Sequence, residues 1–432
     1  MTGSYSADQI QVLEVHEAVR KRPRMYIGTT GSRGLHHLVY EVVDNSINEA
    51  LAGYCTRIEV DLNADNSVTV TDNGRGIPTE IHSKTGKSFL EAVLTVLCFA
   101  GRSSDGYKVS GGIHGFGIAV VNALSQWLQV TVWREEQIYS QRFEKGIAVT
   151  QLTAKPSPEN RTGTSICFKP DAEIFKSGTQ FDRPTLALHL RQLAYLNPGL
   201  KIILTDNRLE MLGSSSPSIE TYCFPDGIRE YVAYLNSNVE PLHEDIIYIQ
   251  GDRDGVQVEI AVQWHVPKEH QTYGRLFGYT NCVWNIYDSP YFYSPYFYRF
   301  QFAVTRTINN IARELGKLKD TDPILSWNKV LECGFTGIIA LKVPNPEFEG
   351  PTRTRLANPE VGEIVKSLVE NELMEYLTAR PEVAGAIVRQ AIEIRDAIAI
   401  ARQARAVRRH QKRYKTIIGK RRQRGDRASQ KI

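Results

Sequence analysis

The sequence lacks the marks of several common protein classes. No G-x-x-x-x-G-K-[ST] motif occurs, which excludes a P-loop nucleotide site. No apolar run approaches the length of a membrane-spanning helix. Residues 1–11 are largely polar and show no basic-then-apolar signal pattern. We therefore expect a protein that is neither secreted nor embedded in a membrane.

Cysteine is scarce and scattered, and no C-x-x-C pair occurs. This spacing argues against a disulfide framework and against a zinc site, and it predicts reduced, mostly buried thiols in a cytosol-like compartment. The six cysteines are Cys55, Cys98, Cys167, Cys223, Cys282 and Cys333.

Negative charge is nearly absent from the end of the chain. Residues 402–432 hold 13 Lys and Arg and a single acid, Asp426, so this segment carries +12. The whole chain carries +4, which leaves −8 for the rest. A basic segment of this density is typical of polyanion binding, with DNA phosphate contact as one interpretation. A solvated helix end followed by a disordered tail is the alternative.

The length of 432 residues predicts two domains, and 42% hydrophobic with 23% charged residues is typical of a soluble globular protein. A Gly-, Ser- and Pro-rich stretch at 213–218 is the clearest linker. The predicted divisions are residues 1–215, residues 222–398, and a basic helix end with a partly disordered tail at 399–432.

Periodicity predicts mixed helices and antiparallel strands. A broad apolar stripe favours a helix over Leu35–Leu51, and two alternating runs, Arg57–Leu62 and Ser67–Thr71, predict a hairpin. Further segments are predicted as helices at Ser88–Phe99 and Ile118–Leu124, as strands at Leu128–Trp133, Ile138–Phe143, Thr164–Phe168, Asp245–Gln250, Gln257–Trp264 and Gly337–Val343, and as a long last helix from Pro359 through Ile394. This order predicts an α+β sandwich rather than regular βαβ units.

One pentapeptide occurs twice in succession, as Ser289–Tyr293 and Ser294–Tyr298, both S-P-Y-F-Y. We interpret it as a tandem duplication within a loop. An aromatic platform for stacking nucleic-acid bases is the alternative.

Glu41 and Asn45 are four residues apart in a predicted helix and so share a face. Glu41 has the chemistry to activate a water as general base, and Asn45 offers an amide oxygen to Mg²⁺. Asp44 and Glu49 lie on neighbouring faces. Taken alone, these residues also fit the solvated face of an amphipathic helix.

Asp72 follows a predicted strand and precedes Asn73-Gly74-Arg75-Gly76. An ionised carboxylate only accepts hydrogen bonds, which suits the amino group of adenine. Glycines let the backbone approach a flat base. An ordinary Asx turn is the alternative.

Four glycines lie between Gly111 and Gly117, in G-G-I-H-G-F-G, just before a predicted helix. Bare backbone N–H groups at a helix start favour phosphate binding, with His114 as a further donor. Each of the three elements is weak by itself, but their combination in this order predicts an ATP site.

The sequence resembles the N-terminal half of the DNA gyrase B and topoisomerase IV family, within the GHKL ATPase superfamily. Ala18–Gly28, A-V-R-K-R-P-R-M-Y-I-G, resembles the gyrase A-V-R-K-R-P-G-M-Y-I-G. Gly34–His37, Tyr107–Gly112 and Val121–Ser125 also resemble gyrase segments. The resemblance implies a Bergerat-type ATPase domain followed by a smaller transducer-like α/β domain.

The resemblance also implies roles for individual residues. Glu41 would be the general base, Asn45 the magnesium ligand and Asp72 the reader of adenine, aided by Thr164. Arg75 would pair with Glu49. An N-terminal arm with Tyr5 and Ile10 would reach a partner subunit. The implied ATP- and Mg²⁺-binding set is Tyr5, Asn45, Glu49, Asp72, Arg75, Gly76, Ile77, Pro78, Tyr107, Gly111, Gly112, Ile113, His114, Gly115, Phe116, Gly117, Thr164 and Arg353.

Several positions depart from the family pattern. Pro351-Thr352-Arg353 stands where the family has Gln-Thr-Lys, whose lysine touches the γ-phosphate. An arginine fork is no geometric substitute for an ammonium, and losing one transition-state donor costs about 10²–10³ in rate. The family's Gly-Gly-Thr-His is missing after Thr280-Asn281-Cys282.

The paired-aspartate motif of the metal-binding TOPRIM half does not occur, so we expect no strand cleavage by this chain alone. Three hypotheses remain. The first is an ATP-hydrolysing, gyrase-B-like module that closes as an ATP-dependent homodimer around DNA, in the bacterial cytoplasm or an organelle stroma. The second is a catalytically weakened pseudoenzyme that binds ATP, DNA or a gyrase subunit, either gyrase-A-like or full-length gyrase-B-like, as a regulatory interaction protein. The third is a basic DNA-binding module with a relic ATP site.

Overall fold

The structure is a computed structural model, and it describes residues 13–81, 83, 86–96, 116–209, 213, 215–267, 274–286, 294–349, 353–400, 403, 404 and 408. Within these ranges the chain forms two α+β units, one built on a nine-stranded sheet and the other on a five-stranded sheet. This confirms the predicted fold class. Among the described residues, no helix is long and apolar enough to cross a membrane.

The first unit runs from helix α1 to strand β9. Its helices are α1 (Val15–Lys21), α2 (Arg24–Ile27), α3 (Ser32–Leu51), α4 (Phe89–Thr95), α5 (Gly117–Ala123) and α6 (Arg183–Leu196). Its strands are β1 (Arg57–Leu62), β2 (Val68–Asp72), β3 (Ser125–Arg134), β4 (Gln137–Glu144), β5 (Ile147–Ala148), β6 (Thr153–Pro156), β7 (Gly163–Pro170), β8 (Lys201–Asp206) and β9 (Ser218–Tyr222). The sheet order is β5-β4-β3-β7-β2-β1-β8-β9, with β6 paired to β4.

Helix α3 and the β1–β2 hairpin form the centre of this unit. The apolar stripe of α3, including Leu38, Val39 and Val43, is fully buried. Alternate residues of β1, such as Val60, are buried in the same core. Burying each such side chain stabilises the fold by roughly 1.5–3 kcal/mol. This packing holds the polar face of α3 next to the ends of β2 and β7.

The second unit begins with α7 (Ile228–Leu235). Its strands are β10 (Ile247–Arg253), β11 (Val256–Trp264), β12 (Arg275–Thr280), β13 (Val283–Asn285) and β14 (Phe335–Lys342), in the order β10-β11-β14-β12-β13. Its other helices are α8 (Pro295–Glu314), α9 (Trp327–Glu332), α10 (Pro359–Ala379) and α11 (381–400). Helices α8 and α10 pack on each other, with ion pairs Arg299–Glu363 and Arg306–Glu370 on the outside.

An aromatic cluster joins the two units. Tyr195 of α6 stacks on Tyr231 of α7, with ring centroids 4.7 Å apart and planes 2° from parallel. The hydroxyl groups of Tyr231 and Tyr279 of β12 are 3.3 Å apart. Asn197 Nδ2 donates to Cys282 Sγ at 3.3 Å. The first unit is therefore packed against the sheet of the second through buried side chains.

Two predicted elements differ from the structure. The last helix does not run unbroken from Pro359 through Ile394, because it ends at Ala379 and Arg380 is non-helical, with φ −133° and ψ 72°. Pro381 causes this break, since a residue before proline avoids the helical region. The stretch at 213–218, predicted as a linker, leads directly into β9, which pairs with β8 of the first sheet.

The loop interpretation of the duplicated pentapeptide is wrong for its second copy. Pro295 is the first residue of α8, and Ser294 precedes it as the N-cap. Tyr296 and Phe297 are fully buried, which also excludes them as a stacking platform for bases. The first copy lies outside the described residues.

Candidate nucleotide-binding site

Helix α3 presents Glu41 and Asn45 on one face because they are four residues apart, and Glu49 follows one turn later on the neighbouring face. Asn45 Nδ2 donates to the carbonyl oxygen of Glu41 at 2.8 Å. Since a carbonyl only accepts, this contact identifies the NH₂ end of the amide. The bond uses none of the acceptor capacity of Oδ1, which therefore suits a magnesium ion that also keeps waters and phosphate oxygens.

The carboxylate of Glu41 lies between two neighbours. His37, one turn earlier on α3, places Nε2 3.1 Å from Glu41 Oε1. On the other side is Gly117, the first residue of α5, where a Cβ atom would lie 1.9 Å from Glu41 Oε2. The Glu41 side chain is 17% exposed. The arrangement holds a mostly buried carboxylate in one place, as a general base requires.

Asp72, the last residue of β2, is a buried acid with satisfied hydrogen bonds. Its Oδ1 accepts from the backbone N–H groups of Gly74 at 2.9 Å and Thr164 at 3.2 Å, and its Oδ2 accepts from Ser46 Oγ at 2.8 Å. Burial raises the pKa of Asp72, against the opposing effect of these hydrogen bonds. Two carboxylate oxygens offer about four acceptor positions, so Oδ2 keeps capacity for an amino group.

The glycines beside Asp72 are required by close backbone contacts. Gly76 has φ +81°, and a Cβ atom there would lie 2.9 Å from the carbonyl oxygen of Trp133. Gly163 has φ +143°, and a Cβ atom would lie 2.1 Å from the carbonyl oxygen of Asp72. The two strands and the turn therefore approach one another with no room for side chains at these positions.

The Glu49–Arg75 pair that the resemblance implied is present. Arg75 donates from its backbone N–H and Nε to Glu49 Oε2 at 2.8 and 3.1 Å, and from Nη2 to Oε1 at 2.7 Å. Its guanidinium carbon lies 3.9 Å from the centroid of the Tyr54 ring. This bidentate, stacked geometry is specific to arginine and ties the turn after β2 to the end of α3.

The remaining described site residues lie around the same turn. Ile77 N–H donates to Thr164 Oγ1 at 3.3 Å, and Ile77 and Pro78 are half-buried. Phe116, just before α5, meets Tyr26 edge-on with centroids 6.2 Å apart. The structure thus brings α3, the end of β2, β7 and the start of α5 to one place.

Arg353 comes from the second unit and acts on α3. Burial and the charge of Glu41 raise the pKa of Asp44 to about 7, and Arg353 and His37 oppose that rise. Arg353 itself has φ 55°, and its carbonyl oxygen accepts from Asn285 Nδ2 at 3.4 Å. The positive charge of Arg353 therefore lowers the pKa of Asp44, which lies one turn from Glu41 on α3 in the first unit.

Other predicted site residues lie outside the described part of the chain. These are Tyr5, Tyr107, Gly111, Gly112, Ile113, His114 and Gly115, together with Ile10 of the arm and Pro351 and Thr352 beside Arg353.

Three residues that contact the candidate site were assigned no role from the sequence. His37 holds Glu41, Ser46 donates to Asp72, and Arg134 Nη1 donates to the carbonyl oxygen of Gly76 at 3.3 Å. His37 carried a readable signal, because it is four residues before Glu41 on a predicted helix. Arg134 carried none, since its contact spans 58 residues of sequence.

Comparison with known proteins identifies relatives of both units. Residues 30–174 match the family model of the histidine kinase-, DNA gyrase B- and HSP90-like ATPases, and residues 227–407 match that of DNA gyrase B. The 43K ATPase domain of Thermus thermophilus gyrase B, solved with an aminocoumarin, is similar with a TM-score of 0.73 and 34% identity, over 93% of this chain and 100% of that one.

Full-length relatives extend well past the matched region. The DNA gyrase B protein of Synechocystis sp. is 51% identical over 405 residues, which are 94% of this chain and 36% of that protein. The chloroplastic/mitochondrial DNA gyrase B protein of Oryza sativa subsp. japonica is 45% identical over 94% of this chain and 54% of its own length. The chain therefore spans between about a third and just over half of these relatives.

The fold and the site define an ATPase domain of the histidine kinase-, gyrase B- and HSP90-like class, followed by a second α/β unit. The chain belongs to the DNA gyrase B family.

Proposed function

We propose that this chain binds ATP with Mg²⁺ and hydrolyses it, as the ATPase and transducer module of a type II DNA topoisomerase. The observation that carries the proposal is that Glu41 and Asn45 of α3 lie close to Asp72 of β2, which accepts from Ser46 of α3, and that the carboxylate of Glu41 is held against the start of α5.

Each residue has a distinct role in this proposal. Asp72 accepts from the adenine amino group, and the glycine turn with Ile77 and Pro78 lies against the base. Glu41 accepts a proton from the attacking water, while His37 keeps its carboxylate in place. Arg75 and Glu49 stabilise the turn that carries Asp72.

Magnesium fits the donors present. Asn45 Oδ1 is the residue oxygen that would hold it, and the bound ion would neutralise charge on the phosphate oxygens. The predicted phosphate cradle at Gly111–Gly117 would complete the site, with Tyr107 and, from a partner's arm, Tyr5.

The test combines calorimetry with a steady-state ATPase assay. We expect Mg-ATP to bind, and Glu41→Gln to lower kcat by about 10²–10⁴ with little change in affinity, because the amide cannot take the proton. Glu372→Gln, at an exposed position of α10, is the matched control and should behave as wild type. No binding at millimolar Mg-ATP, or turnover unchanged by Glu41→Gln, contradicts the proposal.

A second candidate is a pseudoenzyme that binds nucleotide without efficient turnover. The charge interaction between Arg353 and Asp44 favours it, because a guanidinium attracted to a carboxylate of α3 is less available to a γ-phosphate. Arg353→Lys distinguishes the two candidates. A rise in kcat would indicate that arginine limits hydrolysis, and wild-type hydrolysis that is already Glu41-dependent and fast excludes the pseudoenzyme.

We further propose the partners that the family suggests, namely a second copy of this chain, DNA and a gyrase-A-like or full-length gyrase-B-like protein, in the bacterial cytoplasm or an organelle stroma. ATP-dependent dimerisation is measured by light scattering with a non-hydrolysable analogue. DNA binding through residues 402–432 should weaken steeply with salt and be lost on deleting them.

A further inference from the structure

The ring of Tyr40 lies between two histidines on different helices. Tyr40 and His189 of α6 have ring centroids 4.0 Å apart, with an interplanar angle of 37°. Tyr40 meets His37 edge-on, with centroids 6.4 Å apart. His37 Nε2 is in turn 3.1 Å from Glu41 Oε1. A continuous series of contacts therefore leads from α6 to the carboxylate of Glu41.

His189 has no other evident role. Its Nε2 atom is buried and has no hydrogen-bond partner among the described residues. Burial, with the neighbouring His37 acting in the same direction, lowers the pKa of His189 to about 4, so the imidazole is neutral at pH 7. A neutral ring whose buried nitrogen is unpaired contributes here through packing, and its packing partner is Tyr40.

His37 needs such support. Its side chain is 37% exposed, whereas that of Glu41 is 17% exposed. The His37 ring is therefore partly exposed to solvent, and the ring of Tyr40 lies edge-on to it. Tyr40 is in turn restrained by His189.

We propose that His189 is a positioning residue for the hydrolytic site, acting through Tyr40 on His37 and so on the orientation of Glu41. The inference rests on the proposed function in so far as Glu41 is the base. A carboxylate displaced by a fraction of an ångström reacts more slowly without binding nucleotide less well, since in the proposed function Asp72 contacts the adenine and Asn45 holds the magnesium ion.

The kinetic test compares three variants of the full chain. His189→Ala should lower kcat by about two- to tenfold, the range expected for one aromatic contact, with KM unchanged. His189→Phe keeps a flat ring and should restore kcat. Leu188→Ala changes the adjacent exposed position of α6 and is the control. The inference is overturned if His189→Ala keeps the wild-type kcat, or if His189→Phe does not restore kcat. It is also overturned if His189→Ala raises KM and leaves kcat unchanged.

A second measurement does not depend on turnover. The imidazole Cε1–H resonance of His37 senses the ring of Tyr40, so it should shift in His189→Ala and return to its wild-type position in His189→Phe. If the wild-type protein shows no Glu41-dependent hydrolysis, the proposed function fails. The His37 resonance would still test whether His189 positions Tyr40 and His37. An unchanged His37 resonance in a folded His189→Ala protein would show that Tyr40 does not depend on His189.

Discussion

A Cβ atom on Gly117 would lie 1.9 Å from Oε2 of Glu41, so the first residue of α5 leaves room for the carboxylate only because it is glycine. The next contacts are with other side-chain atoms of Glu41, at 2.8 Å for Cδ and 3.3 Å for Cβ. The side chain of Glu41, rather than the backbone, would therefore move if a methyl group were added.

Gly117→Ala should accordingly impair chemistry while leaving the fold intact. We expect kcat to fall by about 10²-fold, because a misplacement of about 1 Å costs this much. The Tm should change little, since Gly117 has an ordinary φ and a flexible side chain can yield. Gly385→Ala is the matched control, because that glycine of α11 has open space around its Cβ position. Equal kcat in Gly117→Ala and wild type would show that Glu41 is not the base.

Asp72→Asn tests how adenine is read. The variant should fold, because the Ser46 hydroxyl that donates to Asp72 can instead accept from the new amide. We expect ATP to bind about 10- to 100-fold more weakly, because an acceptor aimed at the amino group is replaced by a donor or lost. Competition binding of ATP and GTP measures both the affinity and the base preference, and the preference for ATP over GTP should be smaller in Asp72→Asn. If affinity and preference are both unchanged, adenine does not contact Asp72.

The fold and much of the site were predictable because their signals are local. The stripe of α3 and the alternation of β1 predict those elements, and the four-residue spacing of Glu41 and Asn45 places them on one face. The break at Arg380 was also readable, since Pro381 follows it.

Long-range contacts carried no such signal. The two S-P-Y-F-Y copies have the same sequence, and tertiary contacts explain why the second copy forms the start of helix α8. Ser294 Oγ accepts from Leu356 N–H at 2.8 Å, and Tyr296 donates to Asn285 Oδ1 at 2.8 Å. The contact of His189 with Tyr40 likewise depends on how α6 lies against α3.

The raised pKa of Asp44 predicts a pH-dependent difference in stability. Its value of about 7 exceeds the ordinary 3.8, so between pH 4 and 7 the folded state holds a proton that the unfolded state has lost. The contribution of Asp44 to the free energy of unfolding therefore falls as pH rises through this window and is level above it. Asp44→Asn should gain stability over wild type progressively from pH 4 to 7.

Urea unfolding at several pH values, without nucleotide or magnesium, measures this gain. Asp226→Asn, at an exposed position, is the control and should track wild type throughout. A gain that is the same at pH 4 and pH 8 would mean that the pKa of Asp44 is the same in the folded and the unfolded protein.

The second S-P-Y-F-Y copy offers a matched pair of tyrosines, two residues apart on α8. Tyr296 is fully buried and hydrogen-bonded to Asn285, whereas Tyr298 is 55% exposed. Tyr296→Ala should lower the free energy of unfolding by about 3–5 kcal/mol, because it leaves a large cavity and removes one of the two hydrogen bonds that Asn285 Oδ1 accepts, the other being from Thr280 Oγ1. Tyr298→Ala should stay within about 0.5 kcal/mol, typical of a surface change. Denaturant titration of both variants measures the difference, and similar losses would contradict the placement of this copy in the core.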